Sequence, residues 1–577
     1  MPHAELKASP TPPDSVPLIV GVTGHRDLLD AEMPLIKERV RGFFTALMAD
    51  FPGLPILVIT PLAEGADRLV AEVASELELS LIILLPMPRE LYEKDFADES
   101  ISEFDAMARL GEIVELPLVA GNSVAAVSAP GHARDLQYAR LGVYVAAHSH
   151  ILLALWDGQP AESAGGTAHV VQFHQHDVVE LLAEDGRRSP IDFAEDESDL
   201  VCHVTCSREA GGGLAEGLQP GAVQWLTRDD ENPRTATMPD RYRVLFGRML
   251  EFNADLDESL VAGDVSRLLS PDAQQRLSRG ATDIERLYRH ADVLASRYQR
   301  LARSTQLVSY AGVVCAMLSF IVWADLPDQW FMIYPYLIFI LLVIVVVYVE
   351  RRQGWQRRYI DYRVLAEGLR VQFWWCVGGV AMQNPARFSH DCFLRRQDLE
   401  LGWIRNVMRY AGRRADAQLG DEGCEDPGLV AREWVAHQSA YYSVKSNERY
   451  TSSRITSALV LGTFAAGLVV GLLLAGFQFQ IVSPWSNGLV ALMGLFPLLA
   501  AVRQGYANRT AERELITQYG YQYRIFANAD RLLRSEDDGE RQREILRALG
   551  ESALDEHGQW MLLQRERPVA GQVLQGG

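Results

Sequence analysis

Four long apolar stretches constrain the fold of this 577-residue chain more than any other feature. They lie at about residues 305–324, 330–349, 455–477 and 484–502. Each has close to the roughly 20 residues that a helix needs to cross a hydrocarbon core about 30 Å thick. Buried helices of a large soluble protein are the alternative. However, the segment 334–349 has no charged or amide side chain, and soluble core helices seldom extend so far without a polar face. The sequence therefore predicts four membrane spans in contact with a lipid bilayer.

Basic residues flank each pair of spans on one side only. The loop at 325–329 within the first pair and the loop at 478–487 within the second contain no Lys or Arg. Cytoplasmic flanks of membrane helices carry the excess of positive charge. Both pairs are therefore predicted to enter from the cytoplasm as hairpins, with the N- and C-termini cytoplasmic. The flanking basic residues are Arg297, Arg300, Arg303, Arg351, Arg352, Arg357 and Arg358 for the first hairpin, and Lys445, Arg449, Arg454, Arg503 and Arg509 for the second.

A short motif recurs after each hairpin. The chain reads Arg-Gln-Gly-Trp at 352–355 and Arg-Gln-Gly-Tyr at 503–506, a separation of 151 residues (503 − 352). An Arg-Tyr pair precedes each hairpin, at 297–298 and 449–450, with a separation of 152 residues (449 − 297). The shared order of basic helix, hairpin, Gly-aromatic step and amphipathic helix favours a duplicated module. We therefore expect an all-α membrane region of two repeated helical hairpins with long cytoplasmic helices.

The N-terminal part of the chain has a different pattern. Apolar, β-rich runs alternate with helix-like stretches, and nearly continuous apolar strands are typical of a parallel sheet covered by helices on both faces. The sequence therefore predicts an α/β Rossmann-like domain ahead of the membrane region. The five predicted strands lie at 17–22, 55–60, 80–85, 112–116 and 150–156.

These patterns predict a division of the chain into seven segments. The predicted segments are a disordered tail at 1–15, the α/β domain at 16–225, a linker with helices at 226–285, a first hairpin repeat at 286–385, a cytoplasmic helical connector at 386–437, a second hairpin repeat at 438–545 and a C-terminal tail at 546–577.

Glycine-rich and charged motifs follow the first, second and fifth predicted strands. Ligands of parallel sheets bind beyond the carboxyl ends of the strands. Glycine allows close backbone approach, arginine can hold a phosphate with two hydrogen bonds, and helix N-termini favour anions. Each motif alone is weak, since a Gly-Gly-Thr triplet is as often a plain loop and helix cap. Their joint placement predicts one ligand-binding crevice formed by Thr23, Gly24, His25, Arg26, Glu64, Gly65, Asp67, Trp156, Asp157, Gly165, Gly166 and Thr167.

With these motifs in this order, residues 16–208 resemble the SLOG superfamily, in particular the LSDAT subgroup that also occurs at the N-terminus of TRPM channels. SLOG domains are nucleotide-binding Rossmann-like domains related to the lonely-guy enzymes. The hairpins resemble SLATT domains, two-transmembrane effectors that accompany SLOG sensors in bacterial conflict systems. The resemblance implies a nucleotide-derived ligand, either ADP-ribose-like or a cyclic oligonucleotide, and a location in the bacterial inner membrane.

The comparison with lonely-guy enzymes favours a sensor over an enzyme. In their Gly-Gly-x-Gly-Thr-x-x-Glu loop the glutamate is catalytic, whereas the corresponding position here is Val170, which cannot act as an acid or base. We therefore expect no catalytic residue and a membrane effector whose homo-oligomer forms a pore or disrupts the membrane. The alternatives are a nucleotide-regulated ion channel and a membrane-tethered nucleoside-monophosphate N-glycosidase, for which Glu64 and Asp67 are the remaining acidic candidates.

Charge and ligand spacing argue against two other classes of partner. A formal net charge of -20 opposes binding to a nucleic acid polymer, which relies on a basic surface. The strand-like segment containing Cys202, His203 and Cys206 places the histidine on the face opposite the cysteines. The histidines at 169, 174 and 176 lack the spacing of a helical metal site. No metal and no required cofactor are therefore predicted.

Overall fold

The computed structural model divides the chain into two compact units. Unit 1 comprises Met1–His290 and Glu367–Asp426, and unit 2 comprises Ala291–Ala366 and Pro427–Gly577. The predicted tail at 1–15 lies outside the described residues, apart from its last position. The described residues are 15–160, 165–176, 199–210, 213–227, 233–259, 267–275, 277–325, 327–382, 388–394, 399–417, 425–477, 485–509 and 512–565.

Unit 1 is built on an eight-stranded sheet with the order β4-β3-β2-β1-β5-β6-β7-β8. Strands β1 to β6 pair in parallel, and β7 and β8 add antiparallel pairs at one edge. All residues of β2, β3 and β6 are buried, as expected for parallel strands covered on both faces. The predicted parallel α/β sheet is confirmed. The strands are β1 (Leu18–Gly24), β2 (Ile56–Thr60), β3 (Ser80–Leu85), β4 (Glu112–Glu115), β5 (Ile151–Trp156), β6 (Leu200–Thr205), β7 (Val223–Leu226) and β8 (Arg234–Thr235).

Helices connect the parallel strands and also form the long apolar segments of the chain. In α2, for example, Ala66, Leu69, Val70 and Val73 are buried at the i, i+3, i+4, i+7 spacing of one helical face. The helices are α1 (Met33–Asp50), α2 (Ala66–Glu76), α3 (Arg89–Tyr92), α4 (Asp98–Ala108), α5 (Val124–Val127), α6 (His132–His148), α7 (Thr167–His176), α8 (Asp240–Ser259), α9 (Pro271–Gln274), α10 (Arg279–Asp325), α11 (Ile333–Gln353), α12 (Trp355–Gly378), α13 (Gly402–Ala417), α14 (Pro427–Val430), α15 (His437–Phe477), α16 (Trp485–Arg509), α17 (Glu512–Ser535) and α18 (Gly539–Arg565).

Two predicted boundaries of the soluble domain are corrected. The boundary at 225 cuts β7, because Trp225 and Leu226 pair with β6, and the sheet continues to β8. The predicted connector at 386–437 is not a separate segment, since the residues up to Asp426 belong to unit 1. Unit 1 is therefore formed from two stretches of chain that flank the first predicted hairpin.

Buried polar contacts join α13 to the sheet. Arg409 donates from Nη2 to Asp199 Oδ1 at 2.9 Å, and both side chains are buried. His150 accepts at Nδ1 from the backbone N–H of Ile19 at 3.0 Å, and its Nε2–H donates to the carbonyl of Asn406 at 3.1 Å. Burial lowers the pKa of His150 well below its usual value, which agrees with a neutral ring. These contacts fix the second stretch of unit 1 against the first.

Within the described part of the chain, four helices are long and apolar enough to span a membrane. Between 0% and 17% of the most apolar 18-residue window of each helix is buried within the protein. Such extended apolar exposure is unfavourable in water and fits a lipid environment. The predicted spans lie within these helices, except for residue 484, which is outside the described residues. The four helical segments are Arg279–Asp325, Asp328–Gln353, Pro427–Phe477 and Trp485–Asn508.

Small residues allow the membrane helices of unit 2 to pack closely. A Cβ added at Gly312 in α10 would lie 2.7 Å from Val343 of α11. In the second pair of helices, Gly467 lies beside Pro497, with 3.3 Å between an added Cβ and the proline Cδ. Glycine at such contacts lets helix backbones approach in a membrane, where apolar burial between helices gives little driving force. Within each consecutive pair, the two apolar helices therefore pack against each other: α10 against α11, and α15 against α16.

The recurring Gly-aromatic step has two different backbone conformations. Gly354 adopts a left-handed conformation with φ +62° and ends α11 by donating its N–H to the carbonyl of Glu350 at 2.9 Å. The matching Gly505 lies inside α16, which continues without a break to Arg509. Residues beside a left-handed glycine cannot continue the same helix. Because the two steps differ, the predicted duplication stays a prediction.

The predicted C-terminal tail at 546–577 is corrected for its first part. Residues up to Arg565 form α18, which buries Leu546, Leu549 and Met561. At its end, Arg565 donates from Nη2 to Asp361 Oδ1 at 3.0 Å. Residues 566–577 lie outside the described residues. The apolar spacing of α18 therefore packs it into unit 2 rather than leaving it as a tail.

The Asp199→Asn substitution tests the attachment of α13. It leaves the buried Arg409 guanidinium without its carboxylate, and removing one partner of a buried ion pair costs about 3–5 kcal/mol. We expect a clear fall in the thermal unfolding midpoint of the detergent-solubilised protein. The matched control is Glu76→Gln, which removes one negative charge from exposed ion pairs with Arg41 and Lys37 and should change the midpoint far less, because solvent screens exposed ion pairs. Equal effects of the two variants would contradict this assignment.

Candidate functional site

A cavity of about 700 Å³ lies beyond the carboxyl ends of β1 and β5. These strands are neighbours, although β2, β3 and β4 lie on the other side of β1. The sheet order reverses between them, which is where open parallel sheets bind ligands. Ten of the twelve predicted site residues line the cavity: Thr23, Gly24, His25, Arg26, Asp67, Trp156, Asp157, Gly165, Gly166 and Thr167.

Glycines allow the loops around the cavity to approach one another. A Cβ at Gly24 would lie 2.3 Å from the Cβ of Ala66, at the start of α2. Gly65 has φ +80°, and a Cβ there would lie 2.3 Å from the carbonyl oxygen of Arg26. Any larger side chain would force these loops apart. Gly65 therefore supports the cavity from outside its lining.

The other predicted residue outside the lining is Glu64. Its carboxylate accepts hydrogen bonds from the hydroxyl of Ser100 and from the backbone N–H of Ala97, the latter at 3.3 Å. These contacts direct it to the start of α4. Their positions in the sequence, three residues apart after the same strand, do not show that Asp67 lines the cavity whereas Glu64 does not.

Asp67 is a buried carboxyl group in the cavity wall, 5% exposed. Its Oδ2 accepts the backbone N–H of Ala63 at 3.2 Å, and its Oδ1 has no hydrogen-bond partner among the described residues. Burial raises the pKa of Asp67 to about 7, against the opposing effects of the Ala63 hydrogen bond and of Arg26 and Arg68. At neutral pH this group therefore exists in both protonation states and has a free oxygen.

His25 is held by the residue at the end of β5. Its Nε2 accepts the backbone N–H of Asp157 at 3.1 Å and also lies 3.3 Å from Asp157 Oδ1. Burial lowers the pKa of His25, although the Asp157 carboxylate opposes this effect. We therefore assign the neutral ring with the proton on Nδ1, since a protonated Nε2 could not accept from the backbone. The Asp157 carboxylate also accepts the N–H of Gln159 at 2.9 Å.

A cation and two tyrosines form another part of the wall. The guanidinium carbon of Arg26 lies 5.7 Å from the centre of the Tyr138 ring, a cation–π distance. Tyr138 donates to Asp95, and burial together with this carboxylate raises its pKa to about 12. Tyr92 donates its hydroxyl to the carbonyl of Pro61 at 3.2 Å. Arg26 itself is exposed, so its charge is accessible from the cavity.

Helix α7 begins at the opposite side of the cavity. Gly165, with φ +79°, and Gly166 precede Thr167, the first residue of the helix. The first N–H groups of a helix have no partner within it and favour anions. Val170, in place of the lonely-guy glutamate, is buried, and its Cγ2 would lie 2.8 Å from a Cβ at Gly142 of α6. Here this position packs two helices together.

Several lining residues were not predicted from the sequence. The additional polar or aromatic members are Asp27, Tyr92, Tyr138, Gln159 and Arg208. Tyr138 comes from the middle of α6, and no strand-end motif precedes it. Arg208 follows β6 and contacts Asp27 at 3.1 Å. Arg208 could have been predicted as a site residue from its position just after β6, because parallel strands end at the same edge of the sheet.

Comparison with known proteins finds one family model that matches part of the chain. A family model described as a protein of unknown function (DUF4231) matches residues 288–384. This range contains α11, α12 and most of α10, and nearly coincides with the predicted repeat at 286–385. It covers 97 of the 577 residues (384 − 288 + 1), so it assigns no family to the whole chain. No curated protein and no solved structure matches the chain.

The Asp67→Asn substitution tests the raised pKa. As pH rises from about 4 to 7, unfolded Asp67 ionises while folded Asp67 keeps its proton, so the free energy of unfolding falls. The loss corresponds to about 1.4 kcal/mol per pKa unit and ends near pH 7. The variant, measured by thermal unfolding between pH 4 and 8, should lose less stability over this window. Glu99→Gln changes an exposed carboxyl and should keep the wild-type profile; identical profiles for both variants would refute the assignment.

Proposed function

We propose that this chain is a membrane effector that senses a nucleotide-derived signal. Residues 16–235 bind the nucleotide in the cavity at the β1–β5 switch point, and the apolar helices of a homo-oligomer then form a pore or disrupt the membrane. One observation carries the proposal: a chain with four apolar helices also contains a cavity whose lining combines an accessible arginine, a glycine-rich helix N-terminus and a buried carboxyl group. Its volume of about 700 Å³ falls within the roughly 300–1,000 Å³ typical of small-molecule sites.

The cavity chemistry suits a phosphorylated nucleoside. Arg26 and the first N–H groups of α7 offer positive charge and donors to phosphate oxygens. Tyr138 presents an aromatic ring near the same arginine, which suits a base or a ribose. The free Oδ1 of Asp67 can accept a hydrogen bond from a sugar hydroxyl or an exocyclic amine. ADP-ribose-like molecules and cyclic oligonucleotides both contain these groups.

Assembly of several protomers is part of the proposal. Hydroxyl groups within the spans bond to their own helices: Ser319 donates to the carbonyl of Cys315 at 2.9 Å, and Thr463 donates to that of Leu459 at 2.9 Å. Selective channels usually place charged or amide groups at membrane depth. Spans of this kind favour an unselective path between protomers. The nucleotide shifts the equilibrium only if it binds the open assembly more tightly.

In this proposal unit 1 lies in the cytoplasm, where nucleotide signals are made, and the basic flanks of both predicted hairpins support that orientation. With the resemblance to SLOG and SLATT domains, this supports a bacterial inner-membrane protein of anti-phage or conflict defence. The described cysteines Cys202, Cys206, Cys315, Cys376 and Cys392 form no disulfide, which suits a reducing compartment.

Dye release from liposomes tests this function. Purified protein in dye-filled vesicles should release dye when ADP-ribose or a cyclic oligonucleotide is added. Gly166→Glu places a carboxylate at the start of α7, where it repels phosphate, and should abolish the response. Gly42→Glu is the matched control, because Gly42 is exposed in α1 with no neighbour within 4 Å of an added Cβ.

The same assay separates the alternatives. No response to any nucleotide, or an unchanged response of Gly166→Glu, would refute the proposal. Nucleotide-dependent ion current without dye release would instead favour a regulated ion channel.

A second candidate, an N-glycosidase, is favoured by the buried carboxyl of Asp67 alone. A carboxyl with pKa about 7 is suited to general acid or base catalysis near neutral pH. Incubation with nucleoside monophosphates and chromatography of the free base measures this activity. Asp67→Asn should reduce it by about 10²-fold or more, whereas Glu64→Gln should retain most of it because Glu64 lies outside the lining. Absence of base release from every nucleotide eliminates this candidate.

A further inference from the structure

A second polar cluster lies in unit 1, away from the cavity lining. It comprises His148 at the end of α6, His390 in the 3₁₀ turn Ser389–Cys392 and Asp416 near the end of α13. One potential ligand atom from each residue lies within 4.8 Å of the other two. Both histidines are fully buried, and Asp416 is half-buried. Three separate elements therefore bring two imidazoles and a carboxylate together.

The hydrogen bonds of the two histidines indicate which ring nitrogens carry protons. His148 Nδ1 contacts the carbonyl of Tyr144 at 3.0 Å, and His390 Nε2 contacts the carbonyl of Ala147 at 3.1 Å. A carbonyl only accepts, so both nitrogens carry protons. In the neutral rings, His148 Nε2 and His390 Nδ1 therefore have lone pairs. Metal-binding histidines are oriented in this way by donation from the other nitrogen.

The lone pair of His390 has no partner. Its Nδ1 is buried and makes no hydrogen bond within the described residues, and a buried unsatisfied group costs about 1–3 kcal/mol. The 3.1 Å contact between His148 Nε2 and Asp416 Oδ2 requires a proton on one of these two atoms, and a metal ion can take the place of that proton. A proton there still leaves the buried Nδ1 of His390 without a hydrogen-bond partner among the described residues. A cation at the cluster would satisfy all three groups.

We propose that His148, His390 and Asp416 bind a divalent transition-metal ion, with Zn²⁺ as the probe. In a tetrahedral site the ligand atoms lie about 2.0–2.2 Å from Zn²⁺ and therefore about 3.3–3.6 Å from one another. The present separation of up to 4.8 Å requires the most distant ligand atoms to approach by roughly 1 Å on metal binding. Imidazole and carboxylate are ligands that suit zinc and its neighbours.

The surroundings are compatible with this ion. Burial, with contributions from His148, Arg409 and Arg405, lowers the pKa of His390 well below its usual value, which keeps the ring in the neutral form that binds metals. The nearby charge of Arg409 is balanced by Asp199 at 2.9 Å. The metal would connect α6 to a segment 268 residues later in the chain. It would thereby hold the two stretches of unit 1 together.

Metal analysis of the purified full-length protein in detergent tests the site. After incubation with Zn²⁺ and removal of excess, elemental analysis should find about one tightly held ion per chain. Added Zn²⁺ should raise the thermal unfolding midpoint and a chelator should lower it. Asp416→Asn and His390→Ala should lose the ion. His174→Ala is the matched control, since this buried histidine also bonds a backbone carbonyl, and it should keep the ion.

Three outcomes would overturn the site: no retained Zn²⁺, no change of the wild-type midpoint with Zn²⁺ or chelator, or equal metal loss in His174→Ala. Should His390→Ala fail to fold, the wild-type titration and the milder Asp416→Asn variant still decide the question. Co²⁺ provides an independent readout. Its visible absorption reports tetrahedral coordination, which should appear in wild type and be absent from Asp416→Asn.

Discussion

The buried ion pair between Arg409 and Asp199 joins parts of the chain on either side of a membrane hairpin. The chain leaves unit 1 at His290 and returns to it at Glu367. Closing a loop of 210 residues costs conformational entropy that grows only slowly with length, and a few buried contacts can offset it. As a consequence, both ends of the segment that contains the first pair of apolar helices are continuous in sequence with the same folded unit.

The sheet order is the other constraint on function. Placing β5 beside β1, with β2 to β4 on the far side, brings loops from distant parts of the sequence to one edge. Glycines at 24 and 65 then let these loops approach within the distance that a single methyl group would fill. The polar groups of the cavity differ in state because their surroundings differ. Burial keeps His25 neutral and Asp67 partly protonated, while exposed Arg26 keeps its charge.

The sequence correctly predicted those strands and helices whose residues are all in one kind of surroundings, such as a fully buried strand or a fully apolar helix. Strand β3 was readable because all its residues are buried and apolar, and the spans were readable because lipid accepts only apolar side chains. The packing of helix α13 could not be predicted from the sequence, since Arg405, Arg409 and Arg413 are residue types typical of a solvent-exposed helix. Its arginines are buried, and the buried carboxylate that pairs with Arg409 lies 210 residues earlier. Pairing across such a distance leaves no local signal.

The site shows the same limit at a finer scale. The strand-end motifs predicted ten lining residues because backbone topology alone brings strand ends together. The direction of each side chain could be seen only in the structure. Glu64 accepts a hydrogen bond from Ser100, whereas Asp67 lines the cavity. Tyr138 was missed because it reaches the site from the middle of a helix.

The length of α15 has a consequence for how a soluble region could act on a bilayer. Its 41 residues extend about 60 Å at 1.5 Å per residue, twice what a hydrocarbon core requires. The part before residue 455 packs through Tyr442 against Phe526 and Tyr519 of α17. A rod of this length works as a lever, because a tilt of about 5° moves one end by about 5 Å relative to the other. A small displacement of the end that packs on α17 is therefore magnified into a larger displacement of the opposite, apolar end of the helix.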